Sequence, residues 1–514
     1  MRILQIPSIL QMLLVVVCSP AVLFGQAPSV TEIWEASYIS TPRGAVKNGY
    51  VRTTIQPLKF KGDQVELYKT TKELRLSSKR GGQLVQLKAD LITEETPTNE
   101  VTAVRATMYL GADSIQKLDC EVENQKTVHI SATGATTSKR SFDWDPRCIG
   151  MRAENNLFAA KKIKPGDTFT YRQFIAQITY YITIEVKVGE LQETIVPGLG
   201  KKKLLKVEAT PEALILPNKS KLQLPISVFL VDPITYEPIV TITDIAELGG
   251  LVTTVRTTKA IATAPNGNVP DLMERNTIYL AKRLPRLHQA KSAKYRIGFK
   301  GDLKPSELIS VDERQKLDTE KEQSFDLVIT ASRVPPEKDS GVAAAEEFTQ
   351  SNEFIASDDA NIQKLAALAV GDEKNPWKKA LKIEQFVNNY IDQVTFTEAL
   401  TPADKVAVTR KGDCTEFAML TAAICRASGL PSRTAIGLVY VDNIFGKPGL
   451  GFHMWTEVYI NGAWLGLDAT LAQGGIGPGH LKITDHSWSG IVSFTPLLPV
   501  QRFLNAAPKV EIVE

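Results

Sequence analysis

The hydrophobic pattern of this chain changes period at one place, and that change limits the folds open to it. Across residues 28–333 apolar positions recur every second residue between turn-forming residues, the pattern of strands with one buried face. Ile182, Ile184, Val186 and Val188 alternate with Thr183, Glu185 and Lys187, and Pro165, Gly166 and Asp167 make the turn before a strand at 168–174. Residues 335–341 then form a polar, Pro-containing linker, beyond which the apolar period is about 3.6. Ser357 is placed to cap a helix with Ile362, Leu365, Ala366 and Ala369 on one face, ending before Gly371. Asn375 and Pro376 open a second helix with Trp377, Ala380, Leu381, Val387 and Ile391 as its stripe. The expected class is α+β, with β-rich units first and a helix-bearing domain after them.

A chain of 514 residues exceeds one hydrophobic core, and the length prior is about three domains. The 43% apolar and 23% charged composition excludes widespread disorder and a multi-spanning membrane protein. Sixty Lys and Arg against 57 Asp and Glu leave a net charge of +3 with no basic run, which excludes a nucleic-acid footprint. Arg2, an apolar run at 9–17 and the small residues Ser19, Ala21 and Gly25 follow the order of a signal peptide, so export to the periplasm or beyond is expected. Bulky Val17 before Cys18 does not resemble a lipid-anchor motif. The expected divisions are a signal peptide at 1–25, β-rich domains at 26–195 and 196–333, a linker at 334–349, a catalytic domain at 350–490 and an extension at 491–514. The boundary near 195 rests on the Gly- and Lys-rich stretch 189–203. Cys120 and Cys148 can pair in an oxidising compartment or stand as two buried thiols.

Chemistry concentrates in the helical part. Asp413 and Glu416 have capping-box spacing, so a third helix should start at Asp413 with Cys414 in its first turn. Phe417, Leu420, Ile424 and Ala427 form the stripe behind it, leaving the N-terminus available. A helix N-terminus favours thiolate over thiol, whereas Cys425, eleven residues on, reads as a core cysteine. Residues 452–460 alternate as a strand, Asn461-Gly462 is a two-residue hairpin signal, and residues 463–470 return antiparallel. With Ile460 opposite Ala463, Trp455 falls opposite Asp468 and His453 opposite Thr470. His453 and Asp468 are then diagonal neighbours on one face, roughly 7–8 Å apart between backbones. Nucleophile, base and orienting acid are the three roles covalent acyl transfer requires.

The stretches Gly412-Asp413-Cys414-Thr415-Glu416-Phe417-Ala418, Ala427-Ser428-Gly429-Leu430-Pro431-Ser432-Arg433, Phe452-His453-Met454-Trp455-Thr456-Glu457-Val458 and Trp464-Leu465-Gly466-Leu467-Asp468-Ala469-Thr470 resemble the transglutaminase-like domain of many exported bacterial proteins. The resemblance covers about a quarter of the chain, residues 352–483. It implies a papain-like core, a cysteine helix on an antiparallel sheet, and the catalytic roles of Cys414, His453 and Asp468. Met454 stands where that family commonly has Ala, and Ala469 where it has Pro. The resemblance extends to Gly479-His480-Leu481-Lys482-Ile483, where His480 reads as structural.

The Gly-rich stretches 446–451 and 474–479 read as loops bordering a cleft and lack the context of a phosphate cradle. His129, His288, His453, His480 and His486 show no paired helical spacing and the cysteines no CxxC, so neither a metal nor another cofactor is expected. Two function classes stand: cysteine-dependent acyl transfer or amide hydrolysis on a protein or peptide substrate, and a non-catalytic binding or assembly protein on the same scaffold. An envelope-associated partner at the β-rich region is the further interaction expected, and a ligand-holding β domain is open for residues 28–333.

Overall fold

Up to residue 257 most of the alternating segments become strands of a single large sheet. The structure, a computed structural model, describes residues 30–61, 64–109, 115–133, 137–215, 221–245, 250–397, 400–489 and 495–513. The segment read as a signal peptide, Cys18 included, lies outside them. Among the described residues fourteen strands pair antiparallel between residues 31 and 257. From the edge strand Thr137–Asp143 they run back in chain order to Thr31–Thr41, including β1 (Gln64–Arg80) and β2 (Gln83–Glu95). Thr31–Thr41 pairs with Gly250–Thr257, and the sheet continues through Pro238–Ile245, Ser227–Val231, Gly200–Pro211 and Tyr180–Val196 to the other edge, Thr168–Ile175. The edges meet through side chains: the rings of Phe142 and Phe174 are 5.9 Å apart, and the Tyr181 hydroxyl donates to the Asp143 carbonyl at 2.7 Å. Ile182, Ile184, Val186 and Val188 are all buried, as alternation requires.

Two expected divisions are corrected. The boundary at 195/196 falls in a hairpin whose strands pair Val196 with Gly200. Gly198 and Gly200 have φ of +76° and +69° and make the turn, while Lys201, Lys202 and Lys203 face solvent; Gly and Lys mark a hairpin there. The unit expected at 196–333 is also split. Its first part completes the large sheet, whereas Ser292–Gly298, Gln315–Lys321 and Ser324–Thr330 form a second sheet that Lys509–Ile512 joins by pairing with Ser292–Gly298. The expected C-terminal extension is therefore an integral strand. Alternation reports that a face is buried without reporting what covers it.

The helical part contains α1 (Ala360–Val370), α2 (Pro376–Tyr390), α3 (Ala403–Thr409) and α4 (Cys414–Ala427). Asp359, not Ser357, caps α1, accepting from Asn361 N at 2.9 Å and Ile362 N at 3.2 Å, because only that position puts a carboxylate over the first free amides. Asn375 caps α2 as expected. The third sheet contains β3 (Ser432–Ile444), β4 (Lys447–Ile460), β5 (Ala463–Leu467) and β6 (His480–His486), with β3 between β4 and β6 and β5 on β4. Helix α4 lies against β4, tied by Thr456 Oγ1 donating to the Ala418 carbonyl at 2.9 Å. Leu420 and Ile424 are fully buried behind it, so truncating either to Ala costs about 2–5 kcal/mol.

The Gly446–Gly451 stretch is also corrected. Gly446 turns the β3–β4 hairpin, and the residues after it belong to β4, where Ile278–Tyr279 pairs with Leu450 and Gly449. A Cβ on Gly449 would lie 3.1 Å from the Ile278 carbonyl oxygen, so this glycine admits a neighbouring backbone.

Candidate active site

Helix α4 begins as its capping box dictates. Asp413 Oδ1 accepts from Thr415 N at 3.0 Å, and Glu416 Oε2 accepts from Asp413 N at 2.9 Å. Gly412, at φ +148°, makes room for this, since a Cβ there would lie 2.2 Å from Glu416 Cβ. Cys414 is the first helical residue, but its side chain is fully buried, so the helix start expected to stand open is covered. Burial pushes the thiol well above its ordinary pKa, and the Asp413 carboxylate pushes it the same way, while the Met454 N–H donated to the sulfur works against both. The helix dipole alone suggests a lowered value; desolvation and the capping carboxylates reverse it.

The hairpin register is the expected one, pairing Ile460 with Ala463 and Thr456 with Leu467. Pairing stops there, so Asp468 is not opposite Trp455 and instead starts a turn in which its carbonyl accepts from Leu471 N and Ala472 N. From that turn Asp468 Oδ2 receives His453 Nε2 at 2.9 Å, with both residues buried. Burial would raise the Asp468 carboxyl, but the His453 and His480 N–H groups outweigh it and hold it well below the usual carboxylate range. An ionised carboxylate only accepts, so His453 carries its proton on Nε2. Its Nδ1 is buried and has no hydrogen-bond partner among the described residues.

A cysteine at a helix start, a histidine on the adjoining strand and an aspartate on that histidine occur in residues matched, across 363–469, by the model of the transglutaminase-like superfamily. Residues 363–469 form a transglutaminase-like domain. Solved structures similar to the chain include a protein from Cytophaga hutchinsonii provisionally named a cysteine protease, at 21% identity over 43% of this chain and 83% of that one, TM-score 0.28. The periplasmic domain of TgpA from Pseudomonas aeruginosa, bound to ethylmercury, is similar at 16% identity over 36% and 92%, TM-score 0.25. A β-barrel-like protein of a domain of unknown function from Brucella abortus is similar at 12% identity over 44% and 96%, TM-score 0.30. No curated protein matches the chain.

Around Cys414, His453 and Asp468, sequence reasoning missed three contributors. His480 has a partner after all: its Nε2 donates to the same Asp468 Oδ2 at 3.0 Å, and burial lowers it to about 3, so it is a neutral donor. The donor atoms of His453, Asp468 and His480 lie within 4.8 Å of one another, a spacing a divalent ion can bridge. Contacts of 2.9 and 3.0 Å onto one carboxylate oxygen are those of two N–H donors, and the hydrogen bonds account for them fully. Glu384, from the buried face of α2, accepts from Asp468 N at 2.9 Å and Gly474 N at 3.0 Å and so holds the turn after β5. Burial raises Glu384 to about 7. His288, from outside the domain, fills the space that Gly477 and Gly479 leave, where a Cβ would lie 1.8 Å from its carbonyl oxygen and 2.6 Å from its ring. Residues 474–479 are a loop, as expected, but one packed on a neighbouring segment.

Of the two departures from the family pattern, Met454 presents its backbone to the thiol, and the Ala469 carbonyl accepts from Asn388 Nδ2 at 2.8 Å. Cys120 and Cys148 are separate free thiols, and Cys425 is buried within α4. Among the described residues no helix is long and apolar enough to cross a membrane.

Proposed function

We propose that the transglutaminase-like domain performs cysteine-dependent acyl transfer on amide groups of a protein or peptide substrate. The observation that carries this reading is the pairing of His453 Nε2 with Asp468 at 2.9 Å, which leaves Nδ1 as the ring nitrogen that Asp468 does not engage. With the thiol neutral at rest, His453 Nδ1 takes the Cys414 proton as the sulfur attacks the carbonyl carbon. The Cys414 backbone N–H, which precedes the amides taken by the Asp413 cap, stabilises the oxyanion. The imidazolium protonates the leaving nitrogen, the C–N bond breaks and a thioester forms. His453 then deprotonates water, giving a peptidase or amidase, or a lysine amine, giving a crosslinking transglutaminase. Hydrolysis is the favoured turnover.

Export after removal of the N-terminal segment, and an envelope-associated partner for the large sheet, belong to the same proposal. The alternative, a binding or assembly scaffold, draws on the full burial of Cys414.

Competitive alkylation tests the reading. Cys414 should react at near-neutral pH far faster than Cys425, and His453→Ala should abolish that advantage along with turnover. Equal labelling of both cysteines, unaffected by His453→Ala, would replace the enzyme with the scaffold.

A further inference from the structure

The start of α4 is held from outside the domain that contains it. At the end of β1, Arg80 donates through Nη2 to Asp413 Oδ2 at 3.0 Å and through Nη1 to the Phe396 carbonyl at 3.1 Å. The ion pair joins residues far apart in sequence, with side chains 5% and 1% exposed. The turn that delivers Arg80 is itself fixed. Asp271 accepts from Gly81 N at 3.2 Å and Gly82 N at 2.6 Å, and Lys79 N donates to the Pro270 carbonyl. Gly81, at φ +54°, lies flat against Phe396, where a Cβ would be 2.6 Å from the ring. Gln83 Oε1 accepts from Phe396 N at 2.9 Å. The Phe396 segment in turn pairs, through Gln393 and Val394, with Lys411 and Gly412 immediately before the cap.

We propose that Arg80, supplied by the N-terminal sheet, is a positioning residue for Cys414. It neutralises the capping carboxylate beside the thiol and fixes the helix start. The inference rests on the reading of Cys414 as nucleophile. Two buried carboxylates, Asp413 and Glu416, face the start of α4 from its own first turn, and both oppose a thiolate; the Arg80 guanidinium favours one. A carboxylate left unpaired in a buried site either disfavours a second negative charge next to it or takes up a proton and loses its capping strength. Each outcome slows proton transfer from Cys414 to His453. The large sheet therefore takes part in setting the nucleophile, and catalytic competence requires both parts of the chain.

The test is the rate of Cys414 alkylation by iodoacetamide on the full chain, measured across pH and read by peptide mass. Arg80→Met should lower the rate near pH 7.5 about tenfold and move the thiol midpoint up by about one unit. Adding Asp413→Asn should bring the rate back to within about threefold of wild type, because Asn keeps the cap while removing the unpaired charge. A merely structural Arg80 would show no such reversal. If Arg80→Met is not recovered folded, Arg80→Lys carries the same comparison, since a single ammonium cannot serve Asp413 and the Phe396 carbonyl as the guanidinium fork does. A wild-type rate and midpoint in the Arg80 variant, or a loss that Asp413→Asn does not reverse, overturns the inference. His453→Ala, run in parallel, separates the cases: if it slows alkylation while Arg80→Met does not, the proposed function stands and this inference falls; if it changes nothing, the proposed function itself fails.

Discussion

Asp468 places one oxygen between two imidazoles and the other on the Thr470 N–H, at 2.9 Å. This arrangement fixes the protons on both rings, because an acceptor-only carboxylate demands N–H from each. Replacing Asp468 with Asn turns an NH₂ either against the Thr470 N–H or against both rings, and the second orientation forces a bare Nε2 on each. On His453 the remaining proton then sits on Nδ1, the atom that must receive the thiol's. Asp468→Asn should therefore fold, with an unfolding midpoint within a few degrees of wild type, and lose about 10³–10⁴-fold in kcat. Steady-state kinetics with a thermal melt decides it; retained turnover would remove Asp468 from the mechanism. Asn461-Gly462 made the register legible as far as Leu467, which carries Asp468 toward His453, but the contact itself is made from the turn beyond the ladder. His480 was not legible, because β6 reaches the site through β3, and nothing in the sequence near Gly479 announces a strand two places across the sheet.

At the scale of elements, the helix starts were readable where one residue type satisfied the cap, as at Asn375 and Asp413. Residues 357–359 offered Ser, Asp and Asp in succession, and only the geometry selects Asp359. The glycines at 477 and 479 read as loop formers because their reason for being glycine, the His288 segment, lies in a distant part of the chain. Helix α2 carries a testable consequence through Glu384. Its carboxyl is raised by burial from 4.5 to about 7, so the stability it contributes is fully present below about pH 4.5 and is lost as pH rises through about 7. Gln at this position stays neutral throughout. Relative to wild type, Glu384→Gln should gain stability between pH 5 and pH 8 by about 2–3 kcal/mol. Urea midpoints at the two pH values provide the measurement, and a difference that does not change with pH would show that Glu384 does not titrate in the folded chain.

At the scale of the whole molecule, the chain before residue 335 builds the large sheet and the chain after it carries α1 to α4, yet the two do not separate in space. Tyr295 donates to the Pro478 carbonyl at 2.6 Å, Arg314 to the His480 carbonyl at 2.6 Å, and Arg80 to Asp413. Residues 334–342 remain largely exposed and are the expected first site of proteolytic cutting. The nicked halves should nevertheless co-elute on size exclusion under native conditions and part only in denaturant, because the surfaces they share include buried charge and completed sheets. Separation of the halves in native buffer would contradict this arrangement. The pairing of Lys509–Ile512 with Ser292–Gly298 also sets an order in time. A ribosome releases the strand at 292–298 long before the one that completes its sheet, so the segment between must wait without that partner. Closing so long a loop is slow. During that wait the chain has made Cys414 but not the strand that completes the sheet packed beside its domain.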